Sequence, residues 1–141
     1  GSMDSLLYQS GVIPYRETLA GLEVMMITST STGHWQFPKG MLEPDMTPAE
    51  SAEKEAEEEA GVLGIVVADP VSVYRYDKRG VWPAEVVLYP MRVLRELDED
   101  EWEEAGLRQR QWVDLDEAER RLYGSRLHGV MRDLRSWLSE E

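Results

Sequence analysis

Three glutamates offer the plainest chemistry in this chain. Glu55, Glu58 and Glu59 are separated by three and four residues. At about 100° per residue, an α-helix gathers them within an arc of roughly 100°. Like charges so spaced destabilise an isolated helix. A divalent cation held by oxygen donors would remove the conflict. An acidic helix is ordinarily a solvated face, and Glu53 and Glu57, which the same geometry turns away from the three, are read as solvent charges.

The elements that must position these carboxylates are well marked. Thr47-Pro48-Ala49-Glu50 has the form of a capping box, with Thr47 as N-cap, Pro48 at the first helical position and Glu50 reaching back. Gly61 is the expected stop. Ala49, Ala52, Ala56 and Ala60 make a second helical face of small side chains. Such a face lets the helix lie close against a sheet and holds the carboxylates at a fixed height. Ahead of the helix, Phe37-Pro38-Lys39-Gly40 reads as a tight turn whose backbone carbonyls could join a coordination shell.

The stretch Gly40 to Val62 resembles the Nudix box, G-x5-E-x7-R-E-U-x-E-E-x-G-U with U a bulky aliphatic residue. Gly40, Glu55, Glu58, Glu59, Gly61 and Val62 stand at motif positions. Three positions depart: Met46 replaces the first glutamate, Lys54 the arginine, and Ala56 the aliphatic residue. In the family the first glutamate and the arginine are largely a scaffold, so the departures weaken the support and leave the carboxylates intact. Lys54 is expected to pair with Glu58 or Glu50.

The resemblance implies an α/β fold, a Nudix-type α/β/α sandwich around a mixed β-sheet, formed as one domain over residues 3–141. It implies Mg²⁺ as cofactor, with Mn²⁺ able to substitute, held by Glu55, Glu58 and Glu59. Glu58 is the expected general base, although other branches of the family use that position as a ligand. The look is nearest to the diadenosine polyphosphate and diphosphoinositol polyphosphate phosphohydrolases, through Phe37-Pro38-Lys39-Gly40, Glu57 to Val62, Glu101-Trp102-Glu103 and Leu107 to Trp112. The implied activity is hydrolysis of a phosphoanhydride bond. The alternatives are a binding module with little turnover, which Met46 and Lys54 would suit, and a pyrophosphohydrolase of another nucleoside diphosphate derivative.

Composition bounds the rest. A chain of 141 residues is long enough for one domain with its own core. The net charge of -13 argues against a stable complex with nucleic acid, but a phosphorylated small molecule can still bind if metal ions bridge the negative charges. The absence of cysteine excludes disulfides and thiolate metal sites. Gly1-Ser2 before Met3 is read as a cloning scar. No apolar run is long enough for a membrane span, and a cytoplasmic protein, monomeric or homodimeric, is the expectation.

Along the chain, Leu6 to Glu17 reads as a strand, with Pro14 marking a bulge or an edge. In the Nudix fold this strand borders the substrate cleft, which makes Arg16 a candidate phosphate contact. Glu23 to Thr28 and Trp35 to Phe37 are further strands. Leu63 to Tyr76, interrupted at Asp69-Pro70, and Pro83 to Leu94 form an expected hairpin over the catalytic helix. Its basic tip, Lys78-Arg79 with Arg75 nearby, could reach a polyphosphate. Lys39, Gly40, Arg108 and Arg110 complete the substrate-binding candidates. Tyr74, Tyr76, Trp82 and Trp35 are aromatics on which a base could stack.

Arg95 to Ala105 is an acidic loop without calcium-loop spacing. One of Glu99, Glu101, Glu103 and Glu104 could add a metal ligand or a base, and sequence alone does not separate them. Asp114 to Ala118 opens a helix with an acidic first turn. A last amphipathic helix is expected from Ser125 to Leu138, with Leu127, Val130, Met131, Leu134 and Leu138 as its core stripe. His34 and His128 have no assigned chemistry.

Overall fold

Burial on both faces of one strand explains the architecture. Val24 and Met26 pack on one side of the sheet, and Met25 and Ile27 on the other. Because successive side chains of a strand point to opposite faces, a run that is apolar at every position requires cover on both. The computed structural model describes residues 5–140 and supplies that cover as an α/β/α sandwich. The scar expected at the N-terminus lies outside those residues.

The strands are β1 (Leu7–Thr18), β2 (Gly21–Thr28), β3 (Trp35–Gln36), β4 (Lys39–Met41), β5 (Val62–Val66), β6 (Ser72–Lys78), β7 (Trp82–Glu96) and β8 (Arg110–Asp114). The helices are α1 (Pro48–Glu55), continued by a π-helical turn over Ala56–Ala60, then α2 (Leu115–Leu122) and α3 (Val130–Glu140). All eight strands join one mixed sheet. β1 runs parallel to β7, while every other pairing is antiparallel.

β1 is a central strand, not an edge. It pairs with β4 through Gln9–Gly11 and with β2 through Tyr15–Thr18, and Pro14 falls in the interval between these two registers. The missing N–H therefore sits where the antiparallel partner changes. The expected hairpin is also rearranged. β7 is long enough to pair with β6 through its first half and with β5 through its second. β6 packs against α3, on the face opposite α1.

On the α1 face, Ala52, Ala56 and Ala60 are fully buried against Val12, Met25, Ile27, Val62 and Met91. On the other face, α2 and α3 bring Leu122, Val130, Met131 and Leu134 against Ile13, Phe37, Val86 and Leu88. The last helix begins at Val130, and Leu127 precedes it in the turn that links α2 to α3.

Candidate active site

The capping box forms as the sequence predicts. The Thr47 hydroxyl accepts from the Glu50 N–H, and the Glu50 carboxylate accepts from the Thr47 N–H. Two further contacts tie the start of the helix to the sheet and to the preceding loop. The Ser10 hydroxyl donates to the Pro48 carbonyl at 2.9 Å, and the buried Ser51 hydroxyl accepts from the Glu43 N–H at 3.0 Å.

The far end departs from a uniform α-helix. Residues 56–60 form a π-turn, whose wider loop breaks the even angular spacing assumed for Glu55, Glu58 and Glu59. Gly61 closes it in the left-handed region at φ 65°. A side chain there would be strained and would also collide with Arg110 and Trp102.

Each glutamate has a distinct environment. The Glu55 carboxylate lies against Gly40, where a Cβ would overlap it. Burial, followed by the fields of Glu59 and Glu58, pushes its carboxyl up to about 8. Glu59 is buried. Its carboxylate accepts from the Lys39 N–H at 3.1 Å and lies 3.3 Å from the Arg108 guanidinium. Burial still raises its proton affinity, against the opposing pull of Arg108 and the Lys39 N–H. Glu58 is half-buried and 3.5 Å from Lys54. Of the two glutamates expected in solvent, Glu57 is exposed, whereas Glu53 accepts from the Val66 N–H at 3.0 Å.

Lys54 pairs with Glu58 as expected and adds a partner that the motif did not name. Its ammonium pairs with Glu43 at 3.0 Å and with Glu58, while Glu50 is engaged in the capping box. Glu43, three residues ahead of Met46, supplies the acid that the motif position lacks.

The acidic loop now has one distinguished member. Glu104 pairs with Arg108 at 2.7 Å, its N–H donates to the Glu58 carbonyl at 3.3 Å, and its charge adds to the fields on Glu55 and Glu59. Glu101 instead pairs with Arg95. Among the described residues, the acidic trio whose oxygens lie within 4.8 Å of one another is the exposed Asp98, Asp100 and Glu101, outside the box. Glu58 and Glu59 are each drawn toward a cation instead. The donor set at the box nevertheless fits a hard divalent cation. It is all oxygen, it is crowded enough to raise carboxyl proton affinities, and Gly40 leaves room for the Glu55 carboxylate.

A cavity of about 850 Å³ opens beside Glu59. It is bordered by Lys39, Arg79 and Arg108 from the substrate-binding candidates and by Tyr74, Tyr76 and Trp35 from the aromatics. The remaining candidates go elsewhere. Arg16 pairs with Glu23 and stacks on Trp112, outside the cavity lining. Arg110 is consumed by the carbonyls of Ala60, Gly61 and Leu97. Gly40 serves as the recess for Glu55. Arg75 pairs with Glu85, and Trp82 is exposed at the far end of the hairpin. Sequence reading missed Glu43 as the partner of Lys54 and did not name Arg126, which also borders the cavity. Neither carries a local signal.

The chain matches the NUDIX domain over residues 10–134, and it belongs to that family. Among curated relatives, Nudix hydrolase 12, mitochondrial, of Arabidopsis thaliana is 33% identical over 129 residues, covering 77% of this chain and 63% of that protein. Nudix hydrolase 18, mitochondrial, of the same plant is 36% identical over 115 residues, covering 77% and 64%. The chain thus spans less than two thirds of the length of these relatives. Among solved structures, the C. elegans Ap4A hydrolase superposes with a TM-score of 0.74 at 19% identity, covering 94% of this chain and 98% of that one. The NUDIX domain of Shewanella oneidensis NrtR, complexed with ADP ribose, gives 0.73 at 13% identity, covering 95% and 89%. At such identities the structures show the shared fold.

Proposed function

We propose that this chain is a Mg²⁺-dependent hydrolase that cleaves a phosphoanhydride bond in a nucleoside or inositol polyphosphate. One observation carries the reading. Arg108 bridges Glu59 to Glu104, and Glu55 and Glu58 stand on the same helix as Glu59, which borders a cavity whose lining is rich in cations. Glu55, Glu58 and Glu59, with Glu104 as a further donor, would hold the divalent ion. When bound, that ion would polarise the phosphoryl group and offset its charge.

The residues of the chain supply the rest. Hydrolysis forms a bond from a water oxygen to phosphorus while a proton leaves that water. The bond from phosphorus to the bridging oxygen breaks, and the leaving phosphate departs with the electron pair. Glu58 is the assigned proton acceptor: it is half-buried, and among the described residues its carboxylate is held by the 3.5 Å contact to Lys54 alone. Arg108 and Lys39 face the same cavity and offset charge on the phosphate oxygens as the transition state spreads it outward.

Named relatives support this reading: the curated ones are called Nudix hydrolases, and structural neighbours include an Ap4A hydrolase and a domain holding ADP ribose. The Glu43–Lys54 pair weakens the alternative of a binding module, because the scaffold that Met46 put in question is rebuilt. Rates on diadenosine tetraphosphate, a diphosphoinositol polyphosphate and ADP-ribose, with and without Mg²⁺, test the proposal. Turnover that requires the metal and falls in Glu59→Gln is expected. Binding of these compounds without turnover of any would overturn it.

A further inference from the structure

Among the described residues, most of the cations without an ion-pair partner are gathered around one cavity. The chain has fifteen lysines and arginines against twenty-eight acids. Ten of the fifteen make ion pairs with aspartate or glutamate. Among the described residues, five do not: Lys39, Lys78, Arg79, Arg92 and Arg126. Four of these five, all except Arg92, border the cavity beside Glu59. In a chain of net charge -13, four cations without an ion pair around one cavity, whose lining carries only the carboxylates of Glu59 and Asp77, oppose the general balance of the surface.

Their placement divides the cavity. Lys39 belongs to its inner part, with buried Glu59 and the Arg108 that Glu59 and Glu104 hold. Arg79 and Arg126 are exposed and Lys78 is half-buried, so these three form the rim. They come from two separate parts of the chain. Lys78 and Arg79 stand at the β6–β7 turn, and Arg126 lies in the α2–α3 connection. Arg79 is also the one described non-glycine residue at positive φ, 54°. An arginine is disfavoured there, and such backbone is commonly retained where a side chain has a task.

Another residue of the lining carries a polar group with nothing to bond. The Tyr74 hydroxyl is buried without a partner, although the residue borders the cavity. An unmet buried hydroxyl is a standing cost unless something occasionally satisfies it.

We propose that Lys78, Arg79 and Arg126 form a second anion-binding position at the cavity rim, so that the ligand is an organic compound carrying a phosphate remote from the anhydride. A ligand in the cavity would also lie beside Tyr74. This deepens the hydrolase reading and rests on it for the position of the anhydride.

The test separates the two claims. Calorimetry with inositol hexakisphosphate, which has six phosphates and no anhydride, reads the rim without turnover. Adenosine monophosphate, with a single phosphate, is the reference ligand. Arg126→Ala should weaken hexakisphosphate binding by about tenfold or more, and Lys78→Ala with Arg79→Ala should weaken it further. The salt dependence should become shallower with each lost cation. Equal affinity in wild type and Arg126→Ala, or an equal loss for adenosine monophosphate, overturns the proposal. In the rate arm, coenzyme A and dephospho-coenzyme A share the anhydride and differ by one remote phosphate. The ratio of their kcat/KM values should fall in Arg126→Ala. Rim-dependent binding without turnover of any anhydride would leave this position standing and sink the hydrolase reading. Turnover with an Arg126-independent ratio would do the reverse.

Discussion

The Arg110 guanidinium stacks on the Trp102 ring, 4.3 Å from its centroid, and both side chains donate to carbonyls of the π-turn or its cap. Arg110 donates to Ala60 at 3.0 Å and Gly61 at 3.1 Å, and Trp102 to Glu58 at 3.1 Å. Arg110 also reaches Leu97 at 2.5 Å, which joins the acidic loop to the end of the helix. A helix end leaves its last carbonyls without intrahelical donors. Here a tertiary pair supplies those donors and orients Glu58 and Glu59.

Arg110→Met should therefore cost stability and rate together. Three buried carbonyl contacts lose a charged donor, a loss of roughly 1–3 kcal/mol. The carboxylates would shift with the turn, and kcat should fall by about 10- to 100-fold. Arg110→Lys, which keeps the charge and loses the fork and the stack, should recover only part of either. Denaturant melts with single-turnover rates check this. A stability loss at wild-type kcat would confine Arg110 to the fold.

Glu58→Gln should separate catalysis from folding. It removes one charge from a crowded acidic group, and Lys54 keeps Glu43 as a partner. The metal-free protein should be at least as stable as wild type. Turnover should fall by about 10² to 10⁴, the range for a positioned base. Thermal melts and initial rates on one preparation decide it. Unchanged turnover would pass the role of base to another group, with Glu104 next in line.

Stability of the metal-free protein should fall as pH rises across the range between the two carboxyl values of Glu55. Its folded carboxyl titrates near 8 and its ordinary value is 4.5. Between these the folded state holds a proton that the unfolded state has released, so raising pH favours unfolding. Glu55→Gln should flatten this part of the profile and raise the Tm at pH 8. Melts from pH 5 to 9 in chelator would show it. An identical slope in wild type and variant would rule out Glu55 as its source.

Lys54 offers a swap. Glu43→Ala should lower the Tm slightly, because Lys54 loses its nearer partner. Adding Met46→Glu, which restores the acid at the motif position, should recover the loss. In the wild-type background the same addition should do little. A double-mutant cycle measures the coupling, and additive effects would mean that Glu43 does not substitute for the missing acid.

Much of the local structure was legible in the residues themselves. Thr47, Pro48 and Glu50 specify the start of the helix through contacts within one turn, and Gly61 specifies its end because few other residues accept that backbone. The alanine spacing marked the face that meets the sheet. The box itself disclosed the family and the three carboxylates. What tertiary structure alone decided depends on pairings between distant segments. Pro14 looked like an edge signal until the register of β1 with β4 and β2 placed it in a gap. Arg108 and Arg110 are two residues apart and chemically alike. Packing sends one to the buried Glu59 and the other to the helix carbonyls. The same holds for charge. The sequence shows an acidic protein of net -13, but only the fold pairs off ten of its cations and leaves four of the remaining five around one cavity. Composition sums charge over the chain, whereas binding depends on which charges the fold leaves uncompensated in one place.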